Sequence, residues 1–242
     1  ERFTGFVEKA LREAKLRTDW ADSNETYENA VLDYVRHLLS PDNQAFLQDF
    51  TASLQPFIHA GLVNSLTQTA IKLTAPGVPD IYQGSETLDL SLVDPDNRRE
   101  PDFAALEQLL NQVEQVDPAN EAHWLDGRLK QQLIAKVLPL RQQLPDLFRK
   151  GDYLPLSATG QQAENVLAFG RANDEAALIV ILPRLVFNRL QEAHWAPAEI
   201  ALPEALAGRR YINLISGAES ALETSFSLAG GDRRMPVILL SR

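Results

Sequence analysis

Apolar side chains recur at helical spacing through the first half of the chain. Phe3, Phe6, Val7, Ala10, Leu11 and Ala14 fall on one face of a helix. Tyr27, Ala30, Val31, Tyr34, Val35 and Leu38 repeat the pattern, and Asp22 with Glu25 makes a capping box ahead of them. Phe46, Leu47, Phe50, Leu54 and Phe57 predict a third helix, begun by Pro41-Asp42. Leu62, Leu66, Ala70 and Leu73 predict a fourth, which stops at Pro76-Gly77. The short run Val78–Tyr82, bounded by Gly77 and Gly84, reads as a buried strand between turns. Residues 85–102 carry little apolar periodicity and read as a long loop. Two further helices follow, through Phe103, Leu106, Leu109, Leu110 and Val113, and then through Leu129, Leu133, Ile134 and Val137, where Pro139 kinks or ends the second.

After Gly151 the period changes from that of helices to that of strands. Val166–Phe169, Ala177–Leu182, Glu199–Leu202, Tyr211–Ile215, Thr224–Leu228 and Met235–Leu240 read as six short strands. Turn residues such as Gly160, Asn173-Asp174, Gly208, Gly217 and Gly230-Gly231 separate them. The fold class expected is α+β, ending in a small antiparallel β-sandwich over residues 151–242, with a boundary near residue 150.

Composition narrows the function more by exclusion than by suggestion. The 242 residues are 45% hydrophobic, enough for a core, and the formal charge is −10. An acidic surface repels phosphate backbones and anionic lipid, so neither nucleic acid nor membrane is expected as a partner. The absence of cysteine excludes disulfides and thiolate metal sites and fits a reducing, cytoplasmic setting. No apolar stretch approaches the roughly 20 residues of a membrane helix. His37, His59, His123 and His194 are far apart in sequence, with no metal-ligand spacing. There is also no phosphate-cradling glycine loop and no nucleophile elbow. No metal or cofactor is expected. The chain starts at Glu1, without a leader and directly on a helical pattern, and reads as a piece of something longer.

Candidate chemistry concentrates in residues 74–103, TAPGVPDIYQGSETLDLSLVDPDNRREPDF. Glu86, Asp89, Asp94, Asp96, Arg98, Arg99 and Asp102 lie within 17 residues, next to Asn97. Carboxylates and guanidinium groups make multi-point hydrogen bonds to sugar hydroxyls, and an Asp–Arg pair fixes both orientations. The competing reading is an acidic loop tied down by its own arginines. Tyr82 and Gln83 end the expected strand, where Tyr82 either reaches a cleft or fills an interior. In KLRTDW, Lys15, Arg17 and Trp20 place an indole beside cations. That indole either stacks on a sugar ring or packs against a neighbouring helix.

GVPDIYQGSE resembles the last barrel strand of the α-amylase family, in which Gly-x-Pro, an aromatic and Gly-x-Glu follow in order. The longer run with SLVDPDNRR is closest to the maltooligosyl trehalose synthases of that family. REAKLRTDWADSNETYE (12–28), GLVNSLTQTAIKLTAPG (61–77) and GDYLPLSATGQQAENVLAFGR (151–171) resemble the same enzymes. One departure is that Glu100 separates Arg99 from Pro101, where the relatives often read Arg-Arg-Pro. This leaves both Arg98 and Arg99 as the arginine beside the cleaved bond.

The resemblance implies a helical subdomain over 1–75 and a C-terminal β-domain over 151–242. Between them, 76–150 would supply the last strand and helix of a (β/α)₈ barrel, with a substrate loop at its C-terminal face. It further implies a retaining intramolecular transglucosylase, which turns the reducing-end α-1,4 link of a maltooligosaccharide into an α,α-1,1 link. Substrate contacts are then expected from Arg99, Arg98, Asp96, Asn97, Asp94, Glu86, Tyr82, Gln83, Lys15 and Trp20. The catalytic carboxylates are expected upstream of Glu1, which leaves Glu86 out of that role and makes the N-terminal part of the same enzyme the partner of this chain. Another glucanotransferase or hydrolase of the family, or a non-catalytic carbohydrate-binding module, would fit the same residues.

Overall fold

The computed structural model describes residues 1–190, 197–228 and 234–241; His194 and the glycine pair 230–231 lie outside them. The chain divides into two compact units, Glu1–Gln55 with Asp89–Pro101, and Pro56–Leu88 with Asp102–Arg242. Helices α1 (Arg2–Ala14) and α2 (Glu25–Leu38) form the first unit's frame, and α1·α2 packing leaves Leu32 and Val35 buried. The cap of α2 is Asn24, whose side chain accepts from Tyr27 N at 3.1 Å, so the expected Asp22–Glu25 box does not form. Asp19 instead turns the chain here, accepting from the backbone N–H of Ala21 and of Asp22.

The third and fourth expected helices are one. Helix α3 runs from Gln44 to Thr74 with Pro56 inside it, its residues through Gln55 counted with the first unit and the rest with the second. Nothing between Phe57 and Leu62 offers a turn, and a mid-helix glycine, Gly61, costs only about 1 kcal/mol relative to alanine. Val63, Leu66, Thr67, Ala70, Leu73 and Thr74 recur at three- and four-residue steps and are buried.

Shorter helices follow: α4 (Phe103–Leu110), α5 (Glu121–Leu125), α6 (Arg128–Val137), α7 (Leu140–Gln143) and α8 (Pro145–Arg149). Pro139 lies just past the end of α6, as its missing N–H requires. The expected strand Val78–Tyr82 is absent, because no other strand pairs with it among the described residues. An extended run without a ladder leaves its backbone to solvent and turns.

Among the described residues, nine strands make two antiparallel sheets: β1 (Asp152–Leu156), β2 (Ala158–Thr159), β3 (Val166–Ala172), β4 (Ala177–Pro183), β5 (Ala198–Ala201), β6 (Arg209–Asn213), β7 (Glu219–Leu222), β8 (Ser225–Leu228) and β9 (Val237–Ser241). The larger sheet has the order β1-β3-β4-β9-β6-β7, and the smaller β2-β5-β8. Strand β4 is buried along its whole length because both its faces are covered. Leu178, Val180 and Leu182 join the core of α3, α5, α6 and α8. Ala177, Ile179 and Ile181 join a second cluster that includes Ile200 and Phe226 of the smaller sheet. This two-sided burial is why the sequence there is continuously apolar instead of alternating.

Arg171, on β3 and 2% exposed, faces the helical side and donates to the backbone oxygens of Leu147, Phe148 and Gly151 at 3.0–3.1 Å. No helix among the described residues is long and apolar enough to cross a membrane.

Candidate functional site

The loop Asp89–Pro101 of the first unit gathers most of the charged candidates around Asp96. Val93 to Arg99 turns tightly, with a short 3₁₀ segment at Asp96–Arg98. Asp96 Oδ2 accepts from Leu92 N at 2.7 Å, closing the turn from within. Arg2 of α1 grips the same carboxylate with two prongs, Nε to Oδ1 at 2.9 Å and Nη2 to Oδ2 at 2.7 Å, and also donates to Leu90 O at 2.9 Å. Arg99 adds Nε to Asp96 O at 3.0 Å, an ion pair to Asp96 Oδ1 at 3.2 Å and a bond to Ser91 Oγ. Lys9 donates to Asp94 O, and Arg98 pairs with Asp94.

Electrostatics follow from that crowding. The Arg2 hydrogen bond, then the Leu92 N–H, holds the Asp96 carboxyl far below the ordinary carboxylate range. Asp96 therefore stays ionised and serves as the loop's anchor. The arginine heads remain outside, with the Arg98 side chain 74% exposed and that of Arg99 55% exposed. Asn97 is exposed beside them. A groove of about 330 Å³ runs along Arg2, Phe6, Lys9, Val93 and Pro95.

Tyr82, Gln83 and Glu86 belong to the second unit. Tyr82 O accepts from Ser85 N and Oγ, which forms a turn through Gly84 (φ +84°) and leaves the Tyr82 ring exposed. Lys130 donates to Thr87 O at 2.8 Å, and Gly127 (φ +79°) approaches so closely that a Cβ there would meet Leu88 N at 2.6 Å. Glu86 Oε2 is buried without a hydrogen-bond partner. Lys15 and Trp20 stand apart from the loop network, at the α1–α2 connection. Both are exposed, so Trp20 is not packed into a helix interface. No group of three or more potential metal-ligating residues occurs among the described residues.

A putative maltooligosyl trehalose synthase of Mycobacterium tuberculosis (strain H37Rv) is 31% identical over 241 residues, which is 100% of this chain and 28% of the relative. The structure of maltooligosyltrehalose synthase from Arthrobacter ramosus matches with a TM-score of 0.78 at 29% identity, over 100% of this chain and 30% of that one. A second maltooligosyl trehalose synthase crystal structure gives 0.75 at 27% identity, with the same coverage. This chain is homologous to part of a maltooligosyl trehalose synthase. It spans about 28% of the length of the curated synthases it matches. No family model matches it.

In this chain the ten residues expected at a sugar site fall into three places. Asp94, Asp96, Arg98 and Arg99, with Asn97 beside them, form the loop network. Tyr82, Gln83 and Glu86 lie along another turn, and Lys15 with Trp20 lie on a third. Sequence reasoning missed Arg2 and Lys9, which hold the loop from α1 at separations of 94 and 85 residues. The available signal was two cations on one face of a helix in a chain whose acidic loop needed partners.

A second ionic lock fixes α1 to α2. Arg12 binds Glu28 through Nε–Oε1 at 3.0 Å and Nη2–Oε2 at 2.8 Å, and Thr18 Oγ1 adds a third bond at 2.5 Å. Arg12 first, then Thr18, lowers the Glu28 pKa from 4.5 to about 2. A depressed carboxyl stabilises the fold above its unfolded value and loses that contribution as pH falls through the folded one. The first unit is therefore expected to lose thermal stability between about pH 4.5 and 2. Glu28→Gln should start lower at neutral pH and change less across that window. Parallel melting curves for the two proteins would remove Glu28 as a source of acid sensitivity.

Proposed function

We propose that the chain is the C-terminal part of an intramolecular transglucosylase of the α-amylase family, acting on the reducing end of maltooligosaccharides. In that reaction an α-1,4 link becomes an α,α-1,1 link without net hydrolysis. The reading rests on one observation, the alignment with synthases along the whole chain. The barrel's nucleophile, acid and third carboxylate belong to the part of the synthases that this chain does not span. Here Arg98 and Arg99 supply donors to sugar hydroxyls, with Asp94 and Asn97 beside them. Asp96 orients the loop, and Tyr82, Gln83 and Glu86 of the second unit are further candidates for sugar contacts. Such a reaction must retain the released glucose and exclude water, a task for surrounding loops and subdomains.

Incubated alone with maltopentaose, this chain is expected to form no non-reducing oligosaccharide above blank. Conversion by the purified chain would overturn the division of labour proposed here. Product analysis of the complete enzyme separates a mutase from a glucanotransferase or hydrolase, which would release different sugars. A second reading has support in the Asp96 network, where Arg99 spends part of its hydrogen bonding on Asp96 and Ser91. In that reading Arg99 braces the loop and touches no sugar.

A further inference from the structure

We propose that Trp20 is a stacking platform for a glucose ring of an α-1,4-glucan chain, separate from the arginine-bearing loop; the α-glucan part rests on the function proposed above. Trp20 is 60% exposed, and the Arg12 guanidinium lies over its ring, 5.0 Å from the centroid. Arg12 is not free to leave. Its Nε and Nη2 are held by Glu28, with Nη2 also paired to Glu8 at 2.8 Å, and Glu28 is itself buried.

The backbone on both sides of Trp20 is equally fixed. Thr18, 5% exposed, bonds Glu28 and accepts from Asn24 N at 3.0 Å. Asp19 Oδ1 accepts from Ala21 N and Asp22 N, each at 2.7 Å, and Asp19 N donates to Asp22 O. An exposed tryptophan needed only for packing would have no use for so constrained a support. Here a large apolar surface is held rigid in water, with one ring face backed by a cation and most of the ring open. Preorganisation of this kind lowers the entropy cost of binding.

The chemistry of the surround favours a neutral ligand. Arg12 is balanced by Glu8 and Glu28, and the nearby Asp19 carboxylate, turned onto backbone N–H groups, also feels the charge of Lys15. No single sign of charge is left to select an ion. A π face carries negative potential, and the C–H groups on one side of a pyranose carry the complementary positive edge. The exposed Lys15 and Asp22 stand in the flanking turn, where hydroxyl groups of the same ring can be met by a donor and an acceptor.

The test is a titration of this chain with maltopentaose and, separately, cellopentaose, followed by indole fluorescence and by calorimetry. Trp20→Ala and Trp20→Tyr are measured alongside, with circular dichroism to establish that each is folded. The expected result is maltopentaose binding that weakens at least tenfold in Trp20→Ala, survives largely in Trp20→Tyr and exceeds binding of cellopentaose. No maltopentaose binding by the unaltered chain, or binding unaffected in Trp20→Ala, overturns the platform. Equal binding of the two sugars with loss in Trp20→Ala keeps the platform and overturns the α-glucan reading on which it rests. Should the indole be an attachment point for another protein segment, neither sugar will change its fluorescence, and the proposal fails.

Discussion

Arg171→Met should lower the stability of the second unit by about 3–5 kcal/mol, the cost of leaving three buried carbonyls without donors. The substitution keeps most of the side chain's length, so the loss is polar and not a cavity. Arg171 has an unusual setting for a buried cation. Its partners are Leu147 O, Phe148 O and Gly151 O, with Thr74 O at 3.5 Å, the backbone carbonyls at and just beyond the C-terminal ends of α3 and α8. These helix ends carry partial negative charge, which offsets a guanidinium without a carboxylate. Burial, and then the charge of Arg141, pulls the Arg171 pKa down from its ordinary value. In a protein of this size the expected loss amounts to a fall in Tm of about 10 °C. A chemical melt showing less than about 1 kcal/mol would mean that water replaces the guanidinium at little cost.

In the complete enzyme, Arg99→Ala is expected to reduce kcat/KM on the order of a hundredfold. Nε of Arg99 is spent on Asp96 and one prong of Nη2 on Ser91, while the exposed head retains further donors for a ligand. Arg99→Lys should recover only part of the loss, because a point charge cannot reproduce a planar two-pronged contact. If Arg99 only braces the loop, the alanine variant will melt earlier and turn over normally below its melting temperature. A destabilised but fully active variant would transfer the sugar contact to Arg98, whose head is the more exposed of the two.

The parts of the fold that could be read from the sequence are those whose burial is dictated by their own residues. The buried face of the second half of α3 follows the helical period, whereas α1 buries none of its expected face and α2 buries Glu28, Leu32 and Val35, of which only Val35 was expected. Strands β3, β4 and β9 are apolar because they lie in the middle of a sheet. Strands β1, β2 and β7 were not legible. Asp152–Leu156 contains Pro155, Ala158–Thr159 is two residues long, and Glu219–Leu222 is largely polar. These are strands because neighbours offer them a ladder, and a neighbour's offer leaves little trace in the residues that accept it. Val78–Tyr82 is the converse, a strand-like composition with no ladder beside it.

The candidate site divides along the same line. The clustering of Asp94, Asp96, Arg98 and Arg99 was visible because it is local. That Asp96 is an anchor became legible only with Arg2 beside it, 94 residues away in the chain. The pull of Arg12 on Glu28 across 16 residues was hidden for the same reason. Trp20 illustrates a different limit, since packed and exposed indoles read alike until the neighbours are known.

The two-sided burial of β4 also bears on how the chain is made. Before the helices and the smaller sheet cover it, Ala177–Pro183 is an uncharged, β-branched-rich run of seven residues, the kind that zips to copies of itself in nascent chains. Asp174 and Glu175 stand one residue before it, across Ala176, and Arg184 immediately after. These three charges contribute little to the core and would repel or desolvate badly in any stack of identical strands. Charges flanking such a run oppose its self-association in the interval before it has a core to enter.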